Sequence, residues 1–259
     1  MAEFSGDDLR GARFDDVDLS DAEFSMTYLS RALFKAVDLS GVVMRGVDLI
    51  DVQIDGEIEN VVINGVDVVP LVNAELDRRD PDRIKLRPVD PDGFREAWDL
   101  IEQRWDQTVE RARQLDPGIL HQSVNGEWTF IETLRHLVFA TDAWVRRGLL
   151  GDPAPWSPLG LPWDEMSDTP GIPRDREARP SLDEVLALRR DRMSTVRTLV
   201  DHLSEDYLAS ATEPVEGPGW PPSKSFPVRK CLLVVLNEEW QHRRFAERDL
   251  DILEAEPGA

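Results

Sequence analysis

The chain is poor in several residue types, and each shortage limits what the protein can be. It has one cysteine in 259 residues, which excludes an internal disulfide framework and suits a reducing compartment. Its 30 lysines and arginines face 51 aspartates and glutamates, and the resulting net charge of -21 repels nucleic-acid backbones and anionic membranes. No apolar run is long enough to cross a bilayer, and the acidic first residues differ from a signal peptide. We therefore expect a cytoplasmic protein that binds neither nucleic acid nor membranes.

The first part of the chain repeats with a period of five residues. Mostly small residues stand two positions before each large apolar residue of the series. The large residues are Phe4, Leu9, Phe14, Leu19, Phe24, Leu29, Phe34, Leu39, Met44, Leu49 and Ile54. This period fits neither an α-helix nor a strand, whose side chains repeat about every 3.6 and 2 residues. A fixed short period indicates a solenoid, in which each turn buries residues against its neighbours.

This pattern resembles the pentapeptide-repeat family over about residues 2–56. The resemblance implies a short right-handed quadrilateral β-helix in which the large residue of each repeat points inward. The apolar stretch that follows, with Asn64 and Gly65 as a turn, is interpreted as a cap on the open end. We place this β-helix with its cap at residues 1–76, a charged, proline-containing linker at 77–92, and a second domain at 93–254.

The second domain carries four helical patterns. Apolar stripes with a period near 3.6 residues predict helices over residues 93–115, 130–150, 182–203 and 228–253. Two of the starts have capping boxes, formed by Thr129 with Glu132 and by Ser181 with Glu184. The sequence therefore predicts a short β-helix followed by a four-helix bundle, a β-then-α arrangement of two domains.

Two long proline-containing loops join the predicted helices. They cover residues 151–180 and 204–227, and both contain tryptophan. Loops of this length in a compact domain are usually functional or disordered. The tryptophans of the first loop favour an ordered loop laid across the bundle, and both loops could wall a pocket.

Two of the four histidines lie on predicted inward faces of the second and fourth helices. Glu238 and His242 are four residues apart, so their side chains stack on one helix face. With His136 from the facing helix they would form a metal site of a kind common in bundles. Three protein ligands leave positions open for water or substrate, as in catalytic sites. Glu239 is a rival to Glu238, or an acceptor for the ring N–H of a ligand.

The residues around this trio resemble those of DinB/YfiT-like proteins. The motifs lie at 127–137 and 237–250, within a resemblance that covers about residues 90–254. The family is a four-helix bundle that commonly binds a divalent metal through three histidines, and Glu238 stands where many members have the second of these. A thiol-dependent subgroup, which includes mycothiol-dependent isomerases and S-transferases, uses His, Glu and His. The resemblance therefore implies His136, Glu238 and His242 as metal ligands.

The resemblance also implies a function. The metal would be zinc foremost, with nickel, iron or manganese as alternatives. A low-molecular-weight thiol would be the co-substrate of a transferase or isomerase that acts on a small electrophile. The alternative is a non-catalytic protein whose repeat segment binds a protein partner or a second copy. Topoisomerase protection by DNA mimicry is a third hypothesis, disfavoured because the repeat segment is shorter than one turn of duplex.

The remaining notable side chains have structural interpretations. His121 is expected to be solvated in a loop, and His202 to interact with the dipole at a helix C-terminus. Cys231, on an apolar helix face, is expected to be a buried and inert thiol. Trp128 is expected to pack on the end of the bundle.

Overall fold

The computed structural model describes residues 3–35 and 37–255. The chain forms two compact units, Met1–Glu57 and Ile58–Ala259. The division therefore falls earlier than the predicted end of the first domain at residue 76. The stretch interpreted as a cap belongs to the second unit, because it leads directly into a helix there.

The backbone of the first unit has the same five-residue period as its sequence. Positive φ angles occur at Gly6, Gly11, Asp16, Asp21, Met26, Arg31, Gly41, Gly46 and Asp51. Every ten residues a tight turn closes with a backbone hydrogen bond of 3.0 to 3.2 Å, donated by Ala12, Ala22, Ala32 and Val42 to Leu9, Leu19, Leu29 and Leu39. Residues 3–35 and 37–57 contain no strand. The period of five is thus a property of the folded backbone, while the β-helix stays a prediction.

The large residues of the repeat are partly exposed where the resemblance implies burial. They range from 45% exposed at Leu9 to 74% at Ile54. Several apolar residues outside the register are more exposed than any of these, among them Met26 at 96%, Tyr28 at 93% and Leu33 at 86%. The repeat positions therefore share the less exposed side of the chain. A solenoid turn buries its residues only against neighbouring turns, and a short segment has few of these.

A hairpin and a helix open the second unit. Strands β1 (Val62–Ile63) and β2 (Val66–Asp67) pair antiparallel across the predicted Asn64–Gly65 turn. Helix α1 (Val69–Arg79) follows directly, with Pro70 in its first turn, where a missing N–H costs nothing. Residues predicted to cap the β-helix thus form a helix of their own.

The predicted linker is also ordered. It contains the end of α1 and a 3₁₀-helix, Pro81–Leu86. Within it Arg83 and Asp77 form an ion pair at 2.7 Å, and Asp82 pairs with Arg104 of the bundle. The charged residues and prolines from which a linker was predicted form ion pairs and a helix start.

Four long helices form the bundle, as predicted. They are α2 (Pro91–Ala112), α3 (Phe130–Thr141), α4 (Leu182–Asp201) and α6 (Val228–Ala255), with the short α5 (Glu205–Leu208) before the last. A π-helical segment, Asp142–Arg147, extends α3. Both predicted capping boxes are confirmed. No helix among the described residues is both long and apolar enough to span a membrane.

Helix α2 runs parallel to α6 and antiparallel to α4. The contacts that fix these directions are Arg229 to Pro88 and Arg111 to Glu254 for α6, and Arg95 to Leu203 and Arg113 to Asp183 for α4. Two long connections, after α3 and after α4, make this arrangement possible. The apolar side chains between the helices form one core, in which Trp98, Ile101, Leu137 and Leu232 are almost fully buried.

Two buried arginines hold the long loops. Arg135 in α3 and Arg147 in its π-helical extension are each at most 1% exposed, and both donate to backbone carbonyl groups. The acceptors are Leu159, Asp175 and Ala178 for Arg135, and Pro153, Val215, Gly217 and Pro221 for Arg147. Both loops are therefore anchored to the bundle, and the first is ordered, as its tryptophans suggested.

Candidate metal centre

The structure brings His136, Glu238 and His242 together at one point between α3 and α6. The Nε2 atom of His136 lies 3.3 Å from Oε2 of Glu238, and Nε2 of His242 lies 3.1 Å from the same oxygen. One nitrogen or oxygen from each of the three residues lies within 4.8 Å of the others. This spacing allows all three to contact a single cation.

Local helix geometry explains the convergence. Glu238 and His242 are one turn apart on α6, which places them on the same face. The start of α3 is fixed by its capping box, where Thr129 N–H donates to Glu132 at 2.9 Å and Glu132 N–H donates to Thr129 at 3.1 Å. His136 follows one turn after Glu132 and faces α6.

A backbone carbonyl fixes the proton position on His136. Its Nδ1 lies 3.0 Å from the carbonyl oxygen of Leu161 in the first long loop. A carbonyl oxygen can only accept a hydrogen bond, so Nδ1 carries the proton in the neutral ring. The lone pair is then on Nε2, the atom that faces Glu238. The ring is oriented as metal-binding histidines commonly are.

Burial and the neighbouring groups shift two pKa values in the site. Burial lowers the pKa of His242 below its ordinary value of 6.5, outweighing the opposite effect of Glu238. Burial alone would raise the pKa of Glu238, but hydrogen bonds with His136 and His242 and their charge lower it overall. At neutral pH the site therefore presents a carboxylate and a neutral imidazole of His242, the forms that bind metal ions.

Aromatic rings lie against the two imidazoles. The indole of Trp128 stacks on His242 with 5.8 Å between ring centroids, and its centroid is 4.6 Å from that of His136. Phe245 meets His242 edge to face at 5.9 Å. Trp128 also donates from Nε1 to Asp164 at 3.3 Å. The prediction that Trp128 only packs on the bundle end missed its contact with the site.

The site is partly open to solvent. The side chain of Glu238 is 28% exposed, that of His242 18% and that of His136 7%. A surface cavity of about 290 Å³ lies in the first long loop, beside Met166 and Arg174, and does not include the three residues. The first loop thus contacts the site through Leu161 and, by way of Trp128, through Asp164.

Glu239 is engaged elsewhere. Both of its oxygens accept hydrogen bonds from the guanidinium of Arg189, at 2.6 and 2.7 Å, and both side chains are almost fully buried. Arg189 in turn lies over the ring of Trp105 at 5.4 Å. Of the two neighbouring glutamates, Glu238 faces the histidines. The carbonyl oxygen of Leu161 accepts from the ring N–H of His136. Glu239 therefore does not act as the acceptor for the His136 ring.

The other singled-out residues lie away from the three. His121 is part of a short 3₁₀-helix, Ile119–His121, and is partly buried, whereas it was expected to be solvated. His202 caps α4 by donating from Nδ1 to Thr198 at 2.8 Å, in the predicted structural role at the helix C-terminus. Cys231 is fully buried, as predicted, and burial raises the pKa of its thiol to about 11.

Two family models match the chain. The model described as DinB superfamily matches residues 100–246, and the model described as pentapeptide repeats matches residues 2–35 in eight copies. No curated protein and no solved structure matches. The first match contains all three converging residues and covers more than half of the chain.

Proposed function

Because the chain belongs to the DinB superfamily, we propose that His136, Glu238 and His242 bind one divalent metal ion. The observation that carries this proposal is the approach of their ligand atoms to within 4.8 Å of one another. The donor chemistry fits, because His136 directs a lone pair from Nε2 toward a carboxylate that is ionised at neutral pH. Such a group of acceptors is favourable only with a proton or a cation among them.

The ligand set suits zinc first. Two imidazole nitrogens and one carboxylate oxygen are also accepted by nickel, iron and manganese. Three protein ligands leave at least one position for water or substrate, and the exposure of Glu238 and His242 supports access from solvent. The site therefore fits a reactive centre better than a purely structural one.

We further propose that the protein transfers a low-molecular-weight thiol to a small electrophile. A divalent ion at this site would lower the pKa of a thiol or water so that it loses its proton near neutral pH. Leu161 holds the proton of His136 at Nδ1, which keeps Nε2 free for the ion. Trp128 and Phe245 provide apolar surface against His242, where a small electrophile could rest.

Metal titration tests the site directly. Zn²⁺ is expected to bind the purified protein at one ion per chain, and His136→Ala is expected to weaken binding by on the order of 100-fold or more, about 2.7 kcal/mol. His202→Ala, which removes an exposed histidine far along α4, serves as control and should bind like the parent. If His136→Ala binds as tightly as the parent, the site is wrong. Thiol consumption with a panel of electrophiles then tests the reaction.

Metal affinity should fall as the pH is lowered. The imidazoles must be neutral to bind, and burial places the pKa of His242 below 6.5. Affinity should therefore change little between pH 8 and 7 and decline at lower pH, by about tenfold per unit for each imidazole that must lose a proton. Isothermal titration with Zn²⁺ across pH 5 to 8 measures this. An affinity that stays constant from pH 8 to pH 5 would contradict this prediction.

For the repeat segment we propose the β-helix that its family implies. The five-residue period of positive φ angles supports it, because a solenoid needs a corner at regular intervals. In a β-helix most backbone N–H groups bond to neighbouring coils and exchange slowly with solvent. Hydrogen exchange of the full chain is therefore expected to show protection throughout residues 9–35 and 37–44. Protection limited to the turn amides of Ala12, Ala22, Ala32 and Val42 would contradict the proposal.

A further inference from the structure

Arg135 stands directly before His136 and is bound to the loop that contacts His136. Its guanidinium is fully buried and donates from Nε to the carbonyl of Leu159 at 2.9 Å and from Nη1 to that of Ala178 at 3.1 Å. A third donor binds the carbonyl of Asp175. These contacts hold two parts of the loop against the start of α3.

Leu161 forms hydrogen bonds both with the backbone of Arg135 and with the ring of His136. Its N–H donates to the carbonyl of Arg135 at 3.2 Å, and its own carbonyl accepts from His136 Nδ1 at 3.0 Å. Leu159, two residues earlier, is held by the Arg135 side chain. The segment 159–161 is therefore fixed by two consecutive residues of α3, one of which faces the metal centre.

We propose that Arg135 is a positioning residue for the metal centre, acting on His136 through Leu161; this inference depends on the metal function proposed above. Without the guanidinium, the loop loses its hold at Leu159, and Leu161 keeps only its N–H bond to the backbone carbonyl of residue 135. The Leu161 carbonyl, which fixes the ring orientation of His136 and the proton on Nδ1, is then held less firmly. Partners of this kind commonly change metal affinity by about 10- to 100-fold.

Arg147 provides a matched control. It too is buried, lies on the continuation of α3 and donates to backbone carbonyls of the long loops. Its acceptors, from Pro153 to Pro221, do not include Leu159 or Leu161. Loss of Arg147 therefore removes a similar loop anchor and leaves the hydrogen bonds of Leu159 and Leu161 in place.

The test compares Arg135→Met with Arg147→Met by Zn²⁺ titration. Arg135→Met is expected to weaken Zn²⁺ binding by about 10- to 100-fold, and Arg147→Met by less than about threefold. Equal losses in the two variants, or no loss in Arg135→Met, would overturn the inference. Arg135→Lys and Arg147→Lys repeat the comparison while keeping the positive charge, should either methionine variant fail to fold.

The proton position in the metal-free protein gives a second readout. Nitrogen NMR of the histidine rings should show His136 protonated at Nδ1 in the parent and in Arg147→Met, and a mixture of both neutral forms in Arg135→Met. An unchanged His136 signal in Arg135→Met overturns the inference, whatever Zn²⁺ does. If the parent itself binds no Zn²⁺, the proposed metal function fails, and this NMR comparison still decides whether Arg135 orients His136.

Discussion

Replacing Glu238 with glutamine is expected to remove tight metal binding. Oε2 of Glu238 lies 3.3 Å from Nε2 of His136 and 3.1 Å from Nε2 of His242, so this carboxylate is the group that both imidazoles share. A glutamine amide at this position would keep the size of the side chain but carry no charge. Loss of the anionic ligand should weaken metal binding by on the order of 100-fold or more, about 2.7 kcal/mol.

Urea unfolding with chelator and with Zn²⁺ measures this loss as the stability that the metal adds. Saturating the parent at 1,000 times the dissociation constant should add about 4 kcal/mol to its free energy of unfolding. The same Zn²⁺ concentration should add much less to the variant. Glu96→Gln, an equal charge change on the exposed side of α2, is the control and should gain as much stability from Zn²⁺ as the parent. A Glu238→Gln variant that gains as much stability from Zn²⁺ as the parent would show that Glu238 is not a ligand.

Removing Arg189 is expected to be among the most destabilising changes in the bundle. Its ion pair with Glu239 has two hydrogen bonds, and the two side chains are only 3% and 1% exposed. Arg189→Met would leave the Glu239 carboxylate buried without its partner, at a cost of about 3–5 kcal/mol in the free energy of unfolding. Urea titration of the metal-free protein gives this value.

A double replacement distinguishes the contribution of the ion pair to stability from the contribution of packing. Arg189→Met combined with Glu239→Leu removes both charges, and its free energy of unfolding should lie within about 2 kcal/mol of the parent. Arg113→Met, which breaks the exposed 2.7 Å pair with Asp183, is the control and should cost less than about 1 kcal/mol. A double variant as unstable as Arg189→Met alone would mean that packing, not charge, determines the loss.

Local spacing explains why much of the bundle could be predicted from the sequence. The capping boxes depend on residues three positions apart, and the Glu238–His242 pair on residues four apart, so both can be recognised without tertiary information. That His136 joins this pair followed from family resemblance and from the small number of histidines. The structure places all three side chains together.

Other parts of the site gave no usable signal. Leu161 contributes a backbone carbonyl, which every residue has, so its role depends only on where the loop lies. The pairing of Arg189 with Glu239 joins residues 50 positions apart. Trp128 is apolar enough to pack anywhere on the bundle end, and only the fold places it on His242. The linker at 77–92 was predicted from charge and proline, which suit helix starts as well as linkers, and these residues include the end of α1, a 3₁₀-helix and the start of α2.

The arginine anchors have a consequence for how this protein can change. Arg135 and Arg147 donate hydrogen bonds to main-chain carbonyl oxygens of the loops. Every amino acid supplies such an oxygen. Side chains along both loops can therefore be exchanged while the attachment points stay in place. Such an arrangement lets the surface beside His136 acquire new specificities without rebuilding the helices beneath it.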